Sequence, residues 1–424
     1  MGRLFHRLTF VSDAPHFGGA ERYIVAMAQA ARRRGIEPRI WWLPPPAGRC
    51  DVFNWARDSG LNVTRMPFKD RRSFVGLVRA FVAMRSRQQP DGLVVNASGR
   101  RRYWLLPLLA RLAGIPCVWV HQMIDARDHR HIRPSRFGGR FEGLHLWRIP
   151  QTIRHMAAAA AATAVVTLNA EDRERIIRWH RVPRRKIHVV PHGVDLERFR
   201  FDPAGRSQWR RQWNLADHET GQPMIVGTAG RLVSGKGIEL LLEAAVILKQ
   251  RGRDFRLVIA GDGPRRVDFM VMSDRLGVAD RTIWAGLIEN MPAFYSALDV
   301  FALCSATESF GLALAEAMAC ERVVVGTPTS GARDQIDHGR TGWQLRGFEP
   351  ADLADMLENI IHRQEQAVPM GRAARESVHQ QFSIGLTLDR TLRALGQTVG
   401  AQEPSGALGA NLSLAAGPMV EDCA

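Results

Sequence analysis

The 424-residue chain has no apolar run near the roughly 18 residues that a bilayer-spanning helix requires. Its opening stretch, residues 1–11, is short and broken by Arg3, His6 and Arg7, which does not fit a secretory signal. Cysteine is sparse. The five that occur, Cys50, Cys117, Cys304, Cys320 and Cys423, are scattered without a close pair or ligand-like spacing, which argues against a disulfide framework and a structural zinc site. No repeat of solenoid length is present. Acidic residues are scarce in the first half: residues 1–190 hold 34 Lys and Arg against 13 Asp and Glu. Residues 191–424 hold 24 against 29, so all of the net charge of +16 comes from the first half. A basic half-molecule attracts polyanions, either nucleic acid or anionic phospholipid. No recognised nucleic-acid motif accompanies it, so nucleic acid is not the expected partner. The expected location is cytoplasmic, with the basic half available to the inner face of a membrane.

What the chain does have is alternation. Short apolar runs bounded by turn residues alternate with segments of helical period, the pattern of parallel sheets with crossover helices. Strands are expected at residues 8–11, 40–43, 63–66, 92–96, 117–121 and 164–168, and again at 225–228, 257–260, 283–285, 300–303 and 323–325. Between the two sets, residues 191–223 show little periodicity. The reading is an α/β chain with two facing Rossmann-like domains, residues 1–190 and 191–395, and a cleft between them. Residues 396–424 are rich in Gly, Ala, Ser and Pro and read as a disordered tail.

Two glutamates, Glu308 and Glu316, flank a helix start at Phe310, Gly311 and Leu312, directly after the strand expected at 300–303. If the intervening segment is helical, their Cα atoms lie about 12 Å apart, comparable to the span of a nucleoside diphosphate sugar from ribose to sugar hydroxyls. Carboxylates at both ends accept hydrogen bonds from hydroxyls, and the helix N-terminus between them meets the diphosphate. Taken alone, two glutamates at this spacing are ordinary surface charges. The segment Gly230-Arg231-Leu232-Val233-Ser234-Gly235-Lys236-Gly237 changes that, because its glycines admit close backbone approach and Arg231 and Lys236 bring two cations to the C-terminal edge of a sheet. It is not a Walker A loop, since neither Ser nor Thr follows the lysine. In the first half, Phe17-Gly18-Gly19-Ala20-Glu21 follows the first strand and offers Gly18 and Gly19 as a backbone cradle across the cleft. His121 ends a strand where a side chain is expected to point into that cleft, although a lone histidine is as often structural.

These motifs, with Pro191-His192-Gly193-Val194-Asp195, Ala260-Gly261-Asp262-Gly263-Pro264 and Gly339-Arg340-Thr341-Gly342, resemble the retaining GT-B glycosyltransferases of family 4, the glycosyltransferase group 1 proteins. The resemblance implies that Glu308 contacts the transferred sugar, Glu316 the ribose, and Arg231 and Lys236 the diphosphate. It implies that Gly19 approaches the diphosphate, His121 the reacting sugar, and residues 287–291 the base. Three positions depart from the family pattern. Cys320-Glu321 stands where a small residue and glycine are usual, Ser330-Gly331 replaces Gly-Gly, and His192 takes the place of Asn.

The chain contains no Asp-x-Asp, so no metal is expected to bridge the diphosphate, and no cofactor is expected beyond the nucleotide sugar itself. The resemblance implies transfer of a hexose-type sugar, with retention, to a saccharide or lipid-linked saccharide in cell-surface polysaccharide or lipopolysaccharide synthesis. A nucleotide-sugar 2-epimerase of the same architecture is the enzymatic alternative, and a basic nucleic-acid-binding protein the alternative of a different class. A dinucleotide-binding reading of Gly261-Asp262-Gly263-Pro264 fails because Arg266 stands where the third glycine belongs. The segment 69–85, with apolar residues at helical spacing among Arg71, Arg72, Arg79 and Arg85, reads as either a core-facing helix or a surface resting on anionic lipid, and residues 99–103 and 127–148 add further basic and aromatic residues.

Overall fold

A computed structural model of the chain describes residues 5–12, 19–42, 51–65, 81–82, 84–86, 89–96, 102–121, 151–215 and 223–396. Gly18, most of the segment 69–85, residues 127–148 and the expected tail lie outside the described residues.

Seven strands form the first sheet: β1 (Arg7–Ser12), β2 (Glu37–Trp42), β3 (Asn62–Arg65), β4 (Gly92–Asn96), β5 (Cys117–His121), β6 (Ala164–Thr167) and β7 (Ile187–Val189). Six form the second: β8 (Met224–Ala229), β9 (Phe255–Ala260), β10 (Thr282–Gly286), β11 (Val300–Leu303), β12 (Val323–Gly326) and β13 (Trp343–Gln344). The orders are β3-β2-β1-β4-β5-β6-β7 and β10-β9-β8-β11-β12-β13, and all described pairings are parallel. Val, Ile and Leu dominate the central strands because helices cover both faces, as parallel sheets demand. One face of the first sheet packs Phe10, Val94, Val118 and Val120 under the helix Gly19–Arg33. The other packs Val95, Cys117, Trp119 and Val165 under the helices Leu106–Leu112 and Gln151–Ala161.

Strand order reverses between β1 and β4 and again between β8 and β11. At such switch points the loops leaving the C-terminal ends of the strands part and open a crevice. The two loops singled out in the second half leave β8 and β11, and the Gly19 helix follows β1.

The last helix, Ile384–Ala394, departs from the sequence reading, which assigned it to the second unit. Its buried residues Leu388 and Leu392 join the core of the first sheet, where they pack with Tyr23, Ile24 and Met27. Its apolar stripe finds an unfilled face there, and an isolated bridge between Val194 and Ser383 accompanies the crossing.

Candidate active site

The loop after β8 is pinned to the end of β11 by close backbone approach. Gly237 has φ 71°, and a Cβ there would lie 1.9 Å from the carbonyl oxygen of Cys304. The Ala306 amide donates to the Gly235 carbonyl at 2.9 Å. The Ala260–Pro264 turn supports the loop from behind: the Leu232 amide donates to the Asp262 carbonyl at 2.9 Å, and a Cβ on Gly263 would meet the Leu232 oxygen at 2.3 Å. This scaffold delivers the Lys236 ammonium into a hydrogen-bonded ion pair with Glu308, and the Ser305 hydroxyl donates to the same carboxylate oxygen at 3.0 Å. Gly230 is open to solvent, and Arg231 is exposed without an ion pair among the described residues.

Glu308 itself is fixed through its backbone. Its carbonyl accepts from the Gly331 amide at 2.9 Å and from the Ser330 hydroxyl at 3.0 Å. Gln335 donates to the Phe310 carbonyl, and a Cβ on Gly331 would lie 2.3 Å from that same oxygen. Only the second glycine of the usual pair is sterically required, and the serine in the first place adds a hydrogen bond. The helix begins at Leu312, after Gly311 in the left-handed region at φ 80°. The condition for a 12 Å span, a helix running from Glu308 to Glu316, is therefore not met, because residues 308–311 precede the helix. Phe310 is buried in the core, where its ring meets His192 and Phe382 edge-on at 5.6 and 5.5 Å.

Glu316 lies on the helix Leu312–Ala319 with 4% of its surface exposed. Tyr295 donates its hydroxyl to Oε2 at 2.7 Å, and the Arg22 guanidinium from the first half stands 4.0 Å from the same oxygen. Burial raises the pKa of this carboxyl above the usual carboxylate value, against the opposing effects of Arg22, the Tyr295 hydroxyl and Arg198. A crevice between the halves is lined by Arg22, Trp55, Asp195, Arg198, Leu312 and Glu316 among others. Gly19 is exposed at the start of its helix, and a Cβ there would lie 3.9 Å from the Leu312 side chain, so the two helix starts face each other.

Residues of the two halves also meet around this cleft. The Asn169 side chain donates to the Ser309 carbonyl at 2.6 Å, and Arg333 pairs with Glu171 at 2.7 Å. His192 stacks on Tyr23 with ring centroids 4.1 Å apart, and burial pushes its pKa down to about 3, so it acts as a neutral aromatic wedge. Arg22, Asn169 and Tyr295 escaped the sequence reading. Arg22 adjoins the Gly19 motif and was legible by position, whereas Asn169 and Tyr295 become relevant only through tertiary contact.

The His121 imidazole packs on Trp119 at 4.6 Å between centroids, with His155 at 5.3 Å and His180 at 5.9 Å. Side chains two apart on a strand share a face, and Trp119 lies on the face covered by the helices Leu106–Leu112 and Gln151–Ala161.

This arrangement has known counterparts. The family model for glycosyl transferases group 1 matches residues 210–377, and that for glycosyltransferase family 4 matches residues 17–198. A D-inositol 3-phosphate glycosyltransferase of Pseudarthrobacter chlorophenolicus is 30% identical over 425 residues, spanning 92% of this chain and 93% of the relative. An alpha-D-kanosaminyltransferase of Streptomyces kanamyceticus is 26% identical over 390 residues, 86% of this chain and 96% of its own. Among solved structures, Anabaena HepE in complex with UDP and glucose superposes with a TM-score of 0.74 at 18% identity, covering 92% of this chain and 99% of that one. The two parallel sheets have the GT-B architecture, and the chain belongs to the glycosyltransferase group 1 family and is a glycosyltransferase.

Proposed function

We propose that the chain moves a hexose-type sugar from a nucleoside diphosphate sugar, with retention of configuration, to a saccharide or lipid-linked saccharide acceptor. One observation carries this reading: Lys236 and Glu308 are joined at the switch-point edge of the second sheet, beside a helix start that faces Gly19. A diphosphate placed there meets the amides of that helix, the Lys236 ammonium and the exposed Arg231, and it competes with Glu308 for Lys236 as a counter-charge. Glu308, thus released, accepts hydrogen bonds from the sugar hydroxyls. Glu316 at the far end accepts from the ribose, and Leu287, 79% exposed just after β10, offers an apolar face to the base.

In the transfer step the bond from the anomeric carbon to the leaving phosphate oxygen breaks, and the acceptor oxygen bonds to that carbon from the same face. The acceptor proton passes to the departing phosphate oxygen. Lys236, Arg231 and the helix N-terminus stabilise the charge that develops on the diphosphate, so no bridging metal is required. An acceptor in cell-surface polysaccharide or lipopolysaccharide synthesis fits the basic first half and the apolar surface of its helices Leu106–Leu112 and Gln151–Ala161.

The test is product analysis with uridine and guanosine diphosphate sugars in a chelator, against saccharide and lipid-linked acceptors. Lys236→Ala should fold normally and lose on the order of a hundredfold in turnover, as expected for one preorganised charge-stabilising group. Release of an epimerised free sugar without transfer would favour the epimerase, and near-normal turnover of folded Lys236→Ala would remove Lys236 from the mechanism.

A further inference from the structure

Three imidazoles converge on the face of the first sheet that the helix Gln151–Ala161 covers. His121 ends β5, His155 lies in the helix Gln151–Ala161, and His180 ends the helix Ala170–His180. Each offers one ring nitrogen such that the three atoms all lie within 4.8 Å of one another. The rings of His155 and His180 are 5.0 Å apart and nearly perpendicular, and those of His121 and His155 are 5.3 Å apart and again nearly perpendicular. The third pair, His121 and His180, is 5.9 Å apart and tilted, so none of the three is stacked in parallel.

The chemistry of the set is selective. His121 is 8% exposed, and its Nε2 has no hydrogen-bond partner among the described residues, which leaves a desolvated polar atom uncompensated. His180 sits in the last turn of its helix, where the terminal carbonyls favour a cation. Imidazoles with no thiolate or carboxylate among the clustered groups suit borderline ions such as Zn²⁺ and Co²⁺ and not Mg²⁺ or Ca²⁺. Nitrogen ligands about 2.0–2.1 Å from a tetrahedral zinc are roughly 3.4 Å apart, so small rotations of the rings close the set around an ion.

We propose that His121, His155 and His180 form a binding site for a divalent late first-row transition ion, zinc foremost, which clips β5 to the two helices and leaves a fourth position for water. The ion would fix His121 against the two helices, and its role is to stabilise the first half.

The test uses the full chain, stripped with a chelator and dialysed, then titrated with Co²⁺ as the visible probe and Zn²⁺ as competitor. One equivalent of Co²⁺ should produce the d–d absorption of a four-coordinate ion, Zn²⁺ should bleach it, and Tm should rise with Zn²⁺ concentration. Tryptophan fluorescence should fall on Co²⁺ binding because Trp119 touches two of the ligands, with centroids 4.6 Å from His121 and 5.3 Å from His155. His155→Ala, at a half-buried position, and His180→Gln should each abolish the absorption and the Zn²⁺-dependent rise in Tm. Absence of a saturable signal at one equivalent in the unaltered chain overturns the proposal. So does retention of the Co²⁺ bands in a His155→Ala protein that still melts cooperatively, and that variant decides the matter if His180→Gln fails to fold.

Discussion

Burying the Glu316 carboxyl is costly. Its carboxyl is buried with one hydrogen bond from Tyr295 and a guanidinium at 4.0 Å, and burial outweighs both, raising its pKa. The folded chain therefore keeps a proton over a pH window in which the unfolded chain has already released it, and this residue's contribution to stability falls as pH rises through that window. Glu316→Gln should flatten that part of the Tm against pH profile. It should also weaken nucleoside diphosphate binding at neutral pH, because an amide accepts from ribose hydroxyls less strongly than a carboxylate. Calorimetry measures the second effect, and an unchanged dissociation constant would contradict the ribose contact. Glu321 presents a backbone cost instead. It occupies φ 61°, where a residue with a Cβ is strained and where the family pattern has glycine. Glu321→Gly should stabilise the chain by about 1 kcal/mol and raise Tm by roughly 2–4 °C in a domain of this size. A lower Tm in thermal denaturation would mean that the Glu321 side chain contributes more than the strain costs.

The elements that build the site work by backbone contact, which makes glycines within one loop unequal. At Gly237 a methyl group would press on the Cys304 oxygen at 1.9 Å, whereas at Gly235 nothing lies within 4 Å and only the φ of 86° resists substitution. Gly237→Ala should shift the loop, pull Lys236 from Glu308 and cost on the order of a hundredfold in turnover through misplacement alone. Gly235→Ala should cost mainly about 1–2 kcal/mol of stability. Equal turnover in the two variants would show that the close approach does not position Lys236. Much of this was legible in the sequence. Eleven apolar runs each coincide with an observed strand, because a buried parallel strand is a run of Val, Ile and Leu ended by a turn. β7 and β13 were missed, being three and two residues long at sheet edges with mixed polarity. The last helix was misassigned because its stripe of Ile384, Leu388 and Leu392 shows amphipathicity without naming the sheet that receives it. The neighbours of His121, by contrast, come from two helices, and only its parity with Trp119 on the strand was legible.

At the scale of the molecule, the two halves are tied at several points around the cleft. Arg33 pairs with Asp195 at 3.0 Å, Asn169 reaches Ser309, and the last helix returns to the first sheet. A lipid-linked acceptor must therefore come to a cleft held close to whichever surface the first half presents. The segment first suspected of lipid contact lies mostly outside the described residues, but a described surface has the required character. Leu108 and Leu112 on one helix, and Ile153 and Met156 on the helix beside it, are between 36% and 63% exposed. Two cations flank them: Arg111 adjoins Leu112, and the Lys186 ammonium rests on the Ala160 carbonyl at 2.8 Å. Exposed leucines alone are common, whereas an apolar patch bordered by cations suits the boundary of an anionic bilayer. No helix among the described residues is long and apolar enough to cross a membrane. Each Lys or Arg near the surface should contribute about 1 kcal/mol, an attraction that salt screens, while the buried leucines supply a part that salt leaves intact. The chain should co-sediment with anionic vesicles at low salt and bind them less at high salt. Leu112→Glu together with Ile153→Glu should reduce binding at both salt concentrations without lowering Tm, since both side chains already face solvent. Should the unaltered chain remain in the supernatant at low salt with strongly anionic vesicles, the acceptor is a soluble saccharide and the patch has another use.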